Sequence, residues 1–284
     1  MRCAWKELLS VLPMWMRKDV DKLGAQTLRE IRLRIGVQPE LILKEKSCLL
    51  DRCITQDDIN YTVNTASQYS PWAATSSSMG YVTINGGHRI GLCGEALIHH
   101  GELMGIRTYH SLCIRVARDF PGIAAGLAKV KGSVLILGPP GWGKTTLLRD
   151  LIRQISESET VSVVDERGEL FPEGFEKGKR TDVLTGCPKE IGIFMLLRTM
   201  GPSSIAVDEI TDERDATAIL HAANCGVRLL ASAHADSLQS FRNRAVYSAL
   251  MENHVFDIIL VLKNDYSYTL ERVKEWAING SVRY

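Results

Sequence analysis

The chain has 284 residues, of which 45% are hydrophobic and 24% are charged, and its formal net charge is +1. This composition is typical of a soluble globular protein, and the balanced charge gives no general electrostatic reason to expect nucleic acid. The seven cysteines form no C-x-x-C pair, so neither a disulfide framework nor a zinc site is indicated. No apolar run approaches the roughly 18 residues that span a bilayer, so we expect a cytoplasmic protein.

The first residues carry an apolar stripe at helical spacing, which includes Trp5, Leu8, Leu12 and Met16. Such a stripe is compatible with a helix that lies on a membrane or a partner, and also with ordinary core. Because Pro13 interrupts the stripe and its polar side is short, we interpret it as core.

Short strands and one helix are predicted before residue 120. Alternation of Ile31, Leu33 and Ile35 with arginines predicts a strand, and a turn leads to a second strand, so we expect a small mixed sheet. The other predicted elements are a helix from Thr55 through Tyr69, a hairpin of Tyr81–Ile84 and Arg89–Cys93, and strands at Leu103–Thr108 and Leu112–Arg118. Pro121-Gly122 marks the joint that follows.

The stretch from Val134 to Ile155 predicts a buried strand, a phosphate-binding loop and a helix in that order. The loop matches G-x-x-x-x-G-K-[ST], whose backbone N–H groups surround phosphate oxygens while the lysine reaches the β and γ phosphates. Leu148, Leu151 and Ile155 lie on one apolar stripe of the helix. The residues expected to bind ATP are Gly138, Pro139, Pro140, Gly141, Trp142, Gly143, Lys144, Thr145 and Thr146.

Two later strands end in acidic residues. Val161–Val164 leads into Asp165-Glu166, where carboxylates at the carboxyl end of a strand are placed to position water or metal. Ile205–Val207 leads into Asp208-Glu209, which is the Walker B arrangement. We expect Asp208 and Thr145 to hold Mg²⁺ and Glu209 to act as the general base toward water.

A third strand, from Leu229, ends near Ser232 and His234. A lone histidine is usually a satisfied core or surface group, so the residues alone leave the role of His234 open.

The succession of Asp208-Glu209-Ile210-Thr211-Asp212, Gly226, His234 and Ser237 resembles the type II/type IV secretion and pilus-motor ATPases. The resemblance implies that His234 belongs to a His box at the γ phosphate and that Glu166 belongs to a catalytic Asp box. It also implies that an arginine from the N-terminal domain reaches phosphate. Arg107 and Arg115 are the candidates for that role, with Arg118 behind them, and Arg115 is the one that we assign to it.

The stretches EIRLRIG, INGGHRIGLCGEA, TYHSLCIRVAR and VDERGEL are similar to the stage III sporulation protein AA branch of these ATPases. This resemblance implies an α/β fold, with a RecA-like P-loop ATPase domain at 121–284 that a smaller α+β domain at 1–120 precedes. It further implies a homo-oligomeric ring, with a hexamer favoured, at the cytoplasmic face of a membrane channel between mother cell and forespore.

Two other functions stay open at this point. A P-loop translocase on nucleic acid would share the same core, although the sequence has no basic stripe with interleaved aromatics. A scaffold that binds ATP with little hydrolysis would keep the Walker A loop, but the intact Glu209 argues against it. A GTPase is disfavoured because the chain has no N-K-x-D motif that reads guanine.

Overall fold

The computed structural model describes residues 1–68 and 80–273, and these form two compact units. The first comprises Met1–Asp119 and Pro172–Phe175, and the second comprises Phe120–Phe171 and the described residues from Glu176 onward. The sequence predicted a single boundary at residue 120 and did not predict that Pro172–Phe175 belongs to the first unit. Tyr69, the last residue of a predicted helix, lies outside the described residues.

The first unit is an α+β domain. In chain order its elements are α1 (Trp5–Val11), α2 (Met14–Leu23), β1 (Leu28–Arg34), β2 (Glu40–Leu43), β3 (Ser47–Leu49), α3 (Gln56–Gln68), β4 (Tyr81–Ile84), β5 (His88–His99) and β6 (Glu102–Arg115). The strands form one six-stranded sheet in the order β3-β2-β1-β6-β5-β4.

Every adjacent pair of strands in this sheet is antiparallel, so the prediction of a mixed sheet was wrong. Tight turns join β1 to β2, β4 to β5 and β5 to β6, and a tight turn can only reverse the direction of the chain. The strands predicted at Leu103–Thr108 and Leu112–Arg118 are one strand, β6, which ends at Arg115. It stays continuous because it pairs with β5 along nearly its whole length.

The apolar stripe at the start of the chain is core, as interpreted from the sequence. Leu8, Leu12 and Met16 are fully buried in a cluster with residues of α3 and the sheet. The backbone leaves the helical conformation at Leu12 and Pro13, because proline has no N–H to donate. The stripe therefore lies on two short helices.

The second unit is built on a seven-stranded sheet with the order β13-β12-β7-β11-β10-β8-β9. Its strands are β7 (Val134–Leu137), β8 (Val161–Asp165), β9 (Thr181–Thr185), β10 (Ser204–Val207), β11 (Arg228–Ala233), β12 (Ile258–Leu262) and β13 (Tyr268–Arg272). All neighbours are parallel except β12 and β13. Its α-helices are α4 (Lys144–Ile155), α5 (Lys189–Thr199), α6 (Glu213–Asn224), α7 (Leu238–Arg242) and α8 (Ala245–Glu252).

Side chains of β7 point alternately to the two faces of this sheet. Leu135 and Leu137 belong to the cluster that α5, α6 and α8 cover, whereas Val134 and Ile136 belong to the cluster that α4 covers. Helices therefore lie on both faces of a mostly parallel sheet, and the predicted RecA-like α/β fold is confirmed. Parallel strands place their carboxyl ends at one edge of the sheet. The residues of this unit that the sequence predicted to bind ATP and Mg²⁺ or to act in catalysis follow β7, β8, β10 and β11 at that edge.

Helix α4 is buried around more of its circumference than one apolar stripe predicts. Asp150 is fully buried and accepts the backbone N–H groups of Gly122 (3.0 Å) and Ala124 (2.7 Å). Arg149 and Arg153 are also buried and donate to backbone carbonyls of Glu169, Leu170 and Glu176. The polar face of α4 thus stabilises the loop after β8, because buried backbone groups require partners.

Strands β9 and β13 lie at the edges of the sheet, and the sequence did not predict them. β9 contains Thr181, Asp182 and Thr185 and buries no residue fully, so it lacks the hydrophobic pattern of the inner strands. Within the described parts of the chain, no helix combines the length and apolar character that crossing a bilayer requires.

Candidate functional site

The predicted phosphate-binding loop connects β7 to α4. Gly141 and Gly143 have φ values of +78° and +88°, in the left-handed region that glycine adopts without a steric penalty. Gly143 is the N-cap of α4, so the first turn of the helix directs its free N–H groups toward the loop. Trp142 packs against the hydrophobic cluster beneath α4.

The side chain of Lys144 is buried and meets two neutral acceptors. Its Nζ donates to the carbonyl of Pro139 (3.0 Å) and lies 2.8 Å from Nδ1 of His234. Burial lowers the pKa of Lys144, and the nearby carboxylates of Asp208 and Glu209 partly oppose that effect. The ammonium is thus held beside the loop by weak partners, which phosphate oxygens can replace because charged acceptors bind it more strongly.

The structure brings together the two residues predicted to hold Mg²⁺. The Thr145 hydroxyl donates to Oδ2 of Asp208 across 2.7 Å. A hydroxyl and a carboxylate are the hard oxygen ligands that Mg²⁺ takes, and it commonly completes its shell with phosphates and water. Among the described residues no group of three or more His, Cys, Asp or Glu side chains is arranged to hold a metal alone. The pair therefore fits Mg²⁺ bound together with a nucleotide.

Glu209 and His234 lie in direct contact. Nε2 of His234 is 2.9 Å from Oε1 of Glu209, and both side chains are about one-third exposed. The imidazole therefore lies between the ammonium of Lys144 and the carboxylate of Glu209. A neutral ring with its proton on Nε2 satisfies both contacts, since it accepts from Lys144 and donates to Glu209.

Ser232 is a site residue whose role the sequence did not indicate. It is fully buried at the end of β11. Its hydroxyl donates to Oδ1 of Asp208 (2.5 Å) and accepts the backbone N–H of Glu209 (2.9 Å). Glu209 has a φ of +54°, an unfavourable conformation for a side chain with a Cβ. Ser232 thus holds the carboxylate of Asp208 and the backbone of Glu209.

Asp165 and Glu166 have separate structural roles. The buried carboxylate of Asp165 accepts the backbone N–H groups of Glu169, Leu170 and Phe171 at 2.8–3.0 Å. Burial raises the pKa of Asp165, against the lowering effect of these hydrogen bonds. Its oxygens are therefore engaged with the following loop, whereas the sequence had suggested that this acidic stretch positions water or metal.

Glu166 is paired with a buried lysine. Nζ of Lys189 is 2.6 Å from Glu166 and 3.4 Å from Asp215. Burial disfavours the charged form of Lys189, but the two carboxylates outweigh it and raise the pKa of Lys189. Glu166 lines the same cleft as Asp208 and Glu209, so it lies near the predicted general base.

The predicted arginines belong to the first unit and differ in how they are held. Arg115, on β6, is 69% exposed and lies 3.7 Å from Glu30. Arg107 pairs with Glu95. Arg118 donates to the carbonyls of Ala25 (2.6 Å) and Leu28, so its guanidinium stabilises its own unit.

Comparison with known proteins gives consistent results. The family model for sporulation stage III, protein AA, matches residues 5–272. The stage III sporulation protein AA of Bacillus subtilis (strain 168) is 36% identical over 277 residues, which cover 90% of each chain.

Two solved structures share the fold. The ATPase DotB of Legionella pneumophila matches with a TM-score of 0.63 and 18% identity, covering 95% of this chain and 85% of that one. The pilus retraction motor PilT, solved with bound ADP, matches with a TM-score of 0.58 and 16% identity, covering 89% and 79%.

Proposed function

The chain belongs to the sporulation stage III protein AA family, and we propose that it is a Mg²⁺-dependent ATPase. The proposed role is to energise or assemble the channel between mother cell and forespore during endospore formation. We further propose that it acts as a hexameric ring in the cytoplasm, at the inner face of the membrane. The observation that carries the catalytic part is the chain of contacts from Lys144 through His234 to Glu209.

The proposed chemistry assigns a separate task to each group. Lys144 leaves its contacts with Pro139 and His234 and neutralises charge on the β and γ phosphates. Thr145 and Asp208 would hold Mg²⁺, which would supply further charge neutralisation at the phosphates. The other loop residues from Gly138 to Thr146 that have a backbone N–H donate it to the phosphates, whereas Pro139 and Pro140 have none to donate.

Glu209 accepts the proton of the attacking water. His234 senses the γ phosphate and passes the effect to Glu209 through their direct contact. Because one imidazole contacts both Lys144 and Glu209, the movement of Lys144 to phosphate removes the donor at Nδ1 of His234, while Nε2 keeps its contact with Glu209. Glu166 supports the same edge of the cleft, and Arg115 contributes charge neutralisation in the manner of an arginine finger.

The first experiment separates binding from chemistry by comparing Lys144→Ala with Glu209→Gln. Lys144→Ala should lose ATP affinity, because the lysine contacts ground-state phosphates. Glu209→Gln should bind ATP normally, while its turnover falls by about 10²- to 10⁴-fold, the usual contribution of a positioned acid or base. Calorimetric titration with ATP and a phosphate-release assay measure the two quantities.

Glu213→Gln is the matched control, because Glu213 is an exposed acid in the first turn of α6. It should match the wild type in both measurements. Equal loss of ATP binding in Lys144→Ala and Glu209→Gln would contradict the division of roles. ATP binding by the wild type without measurable phosphate release would favour the scaffold over the ATPase.

A further inference from the structure

The loop between β12 and β13 lies beside the phosphate-binding loop. β12 is the parallel neighbour of β7, and Val261 is in register with Leu137. A Cβ placed on Gly138 would lie 3.2 Å from Cβ of Leu262. The two strands therefore end side by side. The segment that follows β12 starts next to Gly138, the first residue of the phosphate-binding loop.

Residues 263–267 form a short turn with several internal hydrogen bonds. The N–H of Lys263 donates to the carbonyl of Ser267 (2.8 Å), and the N–H of Tyr266 donates to the carbonyl of Lys263 (3.0 Å). Asp265 accepts both the N–H and the hydroxyl of Ser267 at 2.9 and 2.6 Å. These contacts define the position of Tyr266 in the turn.

Tyr266 combines two features that are unusual for a bulky residue. Its φ is +66°, in the left-handed region that residues with a Cβ rarely adopt. The residue is 50% exposed, so burial of apolar surface does not account for the unfavourable backbone. Such conformations concentrate at ligand-binding sites, where the position of the side chain matters more than the local energy.

The aromatic ring of Tyr266 lies on Gly143. A Cβ placed on Gly143 would be 3.5 Å from Cδ1 and 4.0 Å from Cε1 of the ring. These are van der Waals distances, so the ring covers the backbone of the residue just before Lys144. A half-exposed aromatic surface therefore adjoins the proposed phosphate site.

We propose that Tyr266 is a stacking platform for the base of the bound nucleotide. The inference rests on the proposed function, since the phosphates must occupy the loop for the base to be near the ring. Stacking uses the π face that every base presents and does not read hydrogen-bonding edges. The platform therefore takes nucleoside phosphates as a class, whatever their base. It contributes affinity for the nucleoside part, while affinity for the phosphates resides in the loop.

The experiment compares ADP with inorganic tripolyphosphate as probes, using the full chain and calorimetric titration. Tyr266→Ala should weaken ADP binding by about 5- to 100-fold, the range that loss of one base–aromatic stack produces. Binding of tripolyphosphate, which has no base, should be unchanged. Tyr266→Phe should bind ADP as the wild type does, because it keeps the ring.

Tyr266→Leu separates stacking from simple coverage of Gly143, because leucine keeps an apolar cover without a π face. It should lose ADP affinity and keep tripolyphosphate affinity. Tyr61→Ala is the matched control, since Tyr61 is a tyrosine with 40% exposure on α3, and it should bind both probes normally.

Three results overturn the inference. Equal losses for ADP and tripolyphosphate in Tyr266→Ala would mean that the ring only supports the loop. Unchanged ADP affinity in both Tyr266→Ala and Tyr266→Leu would remove Tyr266 from nucleotide binding, with the proposed function intact. A wild-type protein that binds neither probe would refute nucleotide binding itself, and the platform with it.

Discussion

At the scale of single residues, Ser232 shows how a buried hydroxyl positions two acidic residues of the proposed site. It contacts Asp208 and the backbone of Glu209, and its own carbonyl accepts the N–H of Ile210 (2.8 Å). Three successive residues after β10 are thereby fixed to the end of β11. The left-handed backbone of Glu209 is tolerated because these hydrogen bonds to Ser232 hold it in place.

We predict that Ser232→Ala lowers turnover by up to about 10²-fold, because a small displacement of a catalytic group has an effect of that size. It should also lower the free energy of unfolding by about 1–3 kcal/mol, since the part-buried N–H of Glu209 loses its acceptor. Phosphate release and chemical denaturation measure the two effects.

Ser162→Ala is the control for this prediction. Ser162 is a buried serine on β8 whose hydroxyl has no hydrogen-bond partner among the described residues. Its removal should leave turnover unchanged and stability equal or higher. If Ser162→Ala and Ser232→Ala were equally active, Ser232 would have no positioning role.

At the scale of elements, buried polar side chains join segments that the sequence places far apart. Asp165 holds the loop after β8, and Asp150 on α4 holds the segment that enters the second unit. In the first unit, His88 at the start of β5 has the same function. Its Nε2 is 2.8 Å from the carbonyl of Ala4, and its Nδ1 accepts the N–H of Ala117 across 3.1 Å.

His88 is fully buried, and this burial lowers its pKa below the ordinary 6.5, while its hydrogen bond to Ala4 acts in the opposite direction. The folded state therefore prefers the neutral ring. This contribution to stability is fully present above the unfolded-state pKa of about 6.5 and is lost as the pH falls through the lower folded-state pKa.

We predict that the melting temperature of the wild type falls between about pH 7.5 and about pH 5.5 by more than that of His88→Gln, which has no titrating ring. Scanning calorimetry of both proteins at the two pH values tests this. The other histidines are common to both proteins and cancel in the comparison. Parallel pH profiles would contradict this prediction, because they would show that burial does not lower the pKa of His88 in the folded state relative to the unfolded state.

At the scale of the whole molecule, the side chains that the structure brings together around the proposed nucleotide site all belong to the second unit. The proposed role of Arg115, a residue of the first unit, rests on the family resemblance. The structure adds that its side chain is 69% exposed and only loosely paired with Glu30. An exposed guanidinium is available to a phosphate group or to a neighbouring copy of the chain.

We predict that Arg115→Ala retains ATP binding and loses turnover by about 10³- to 10⁵-fold, the effect of removing an arginine finger. Arg32→Ala is the matched control, because Arg32 pairs with the same Glu30. If Arg115 acts on a neighbouring copy, mixing Arg115→Ala with Glu209→Gln should restore part of the activity. The ring should be visible by mass photometry with ATP.

Normal turnover in Arg115→Ala would remove Arg115 from the mechanism. A protein that stays monomeric with ATP, at a turnover independent of its concentration, would refute both the ring and the shared site.

The contiguous features of this protein are determined by the sequence alone. The strand, glycine-rich loop and helix from Val134 to Ile155 are encoded in neighbouring residues, as are the carboxylates that follow Val207. Local periodicity and backbone preferences suffice for such elements because they involve interactions within a few residues. The family could also be identified from these motifs.

The tertiary structure decided which separated residues meet. Lys144 and His234 are 90 positions apart, and Thr145 and Asp208 are 63 apart; each pair is brought together by the order and register of the parallel strands. The contacts of Ser232 with Asp208 and of Tyr266 with Gly143 have the same origin. Local propensity carries no information about strand order, because order is set by the burial of two sheet faces at once. The sequence did not predict the edge strands β9 and β13 for a related reason. A half-exposed strand forms mainly because it pairs with its neighbour, and its own sequence carries little of that information.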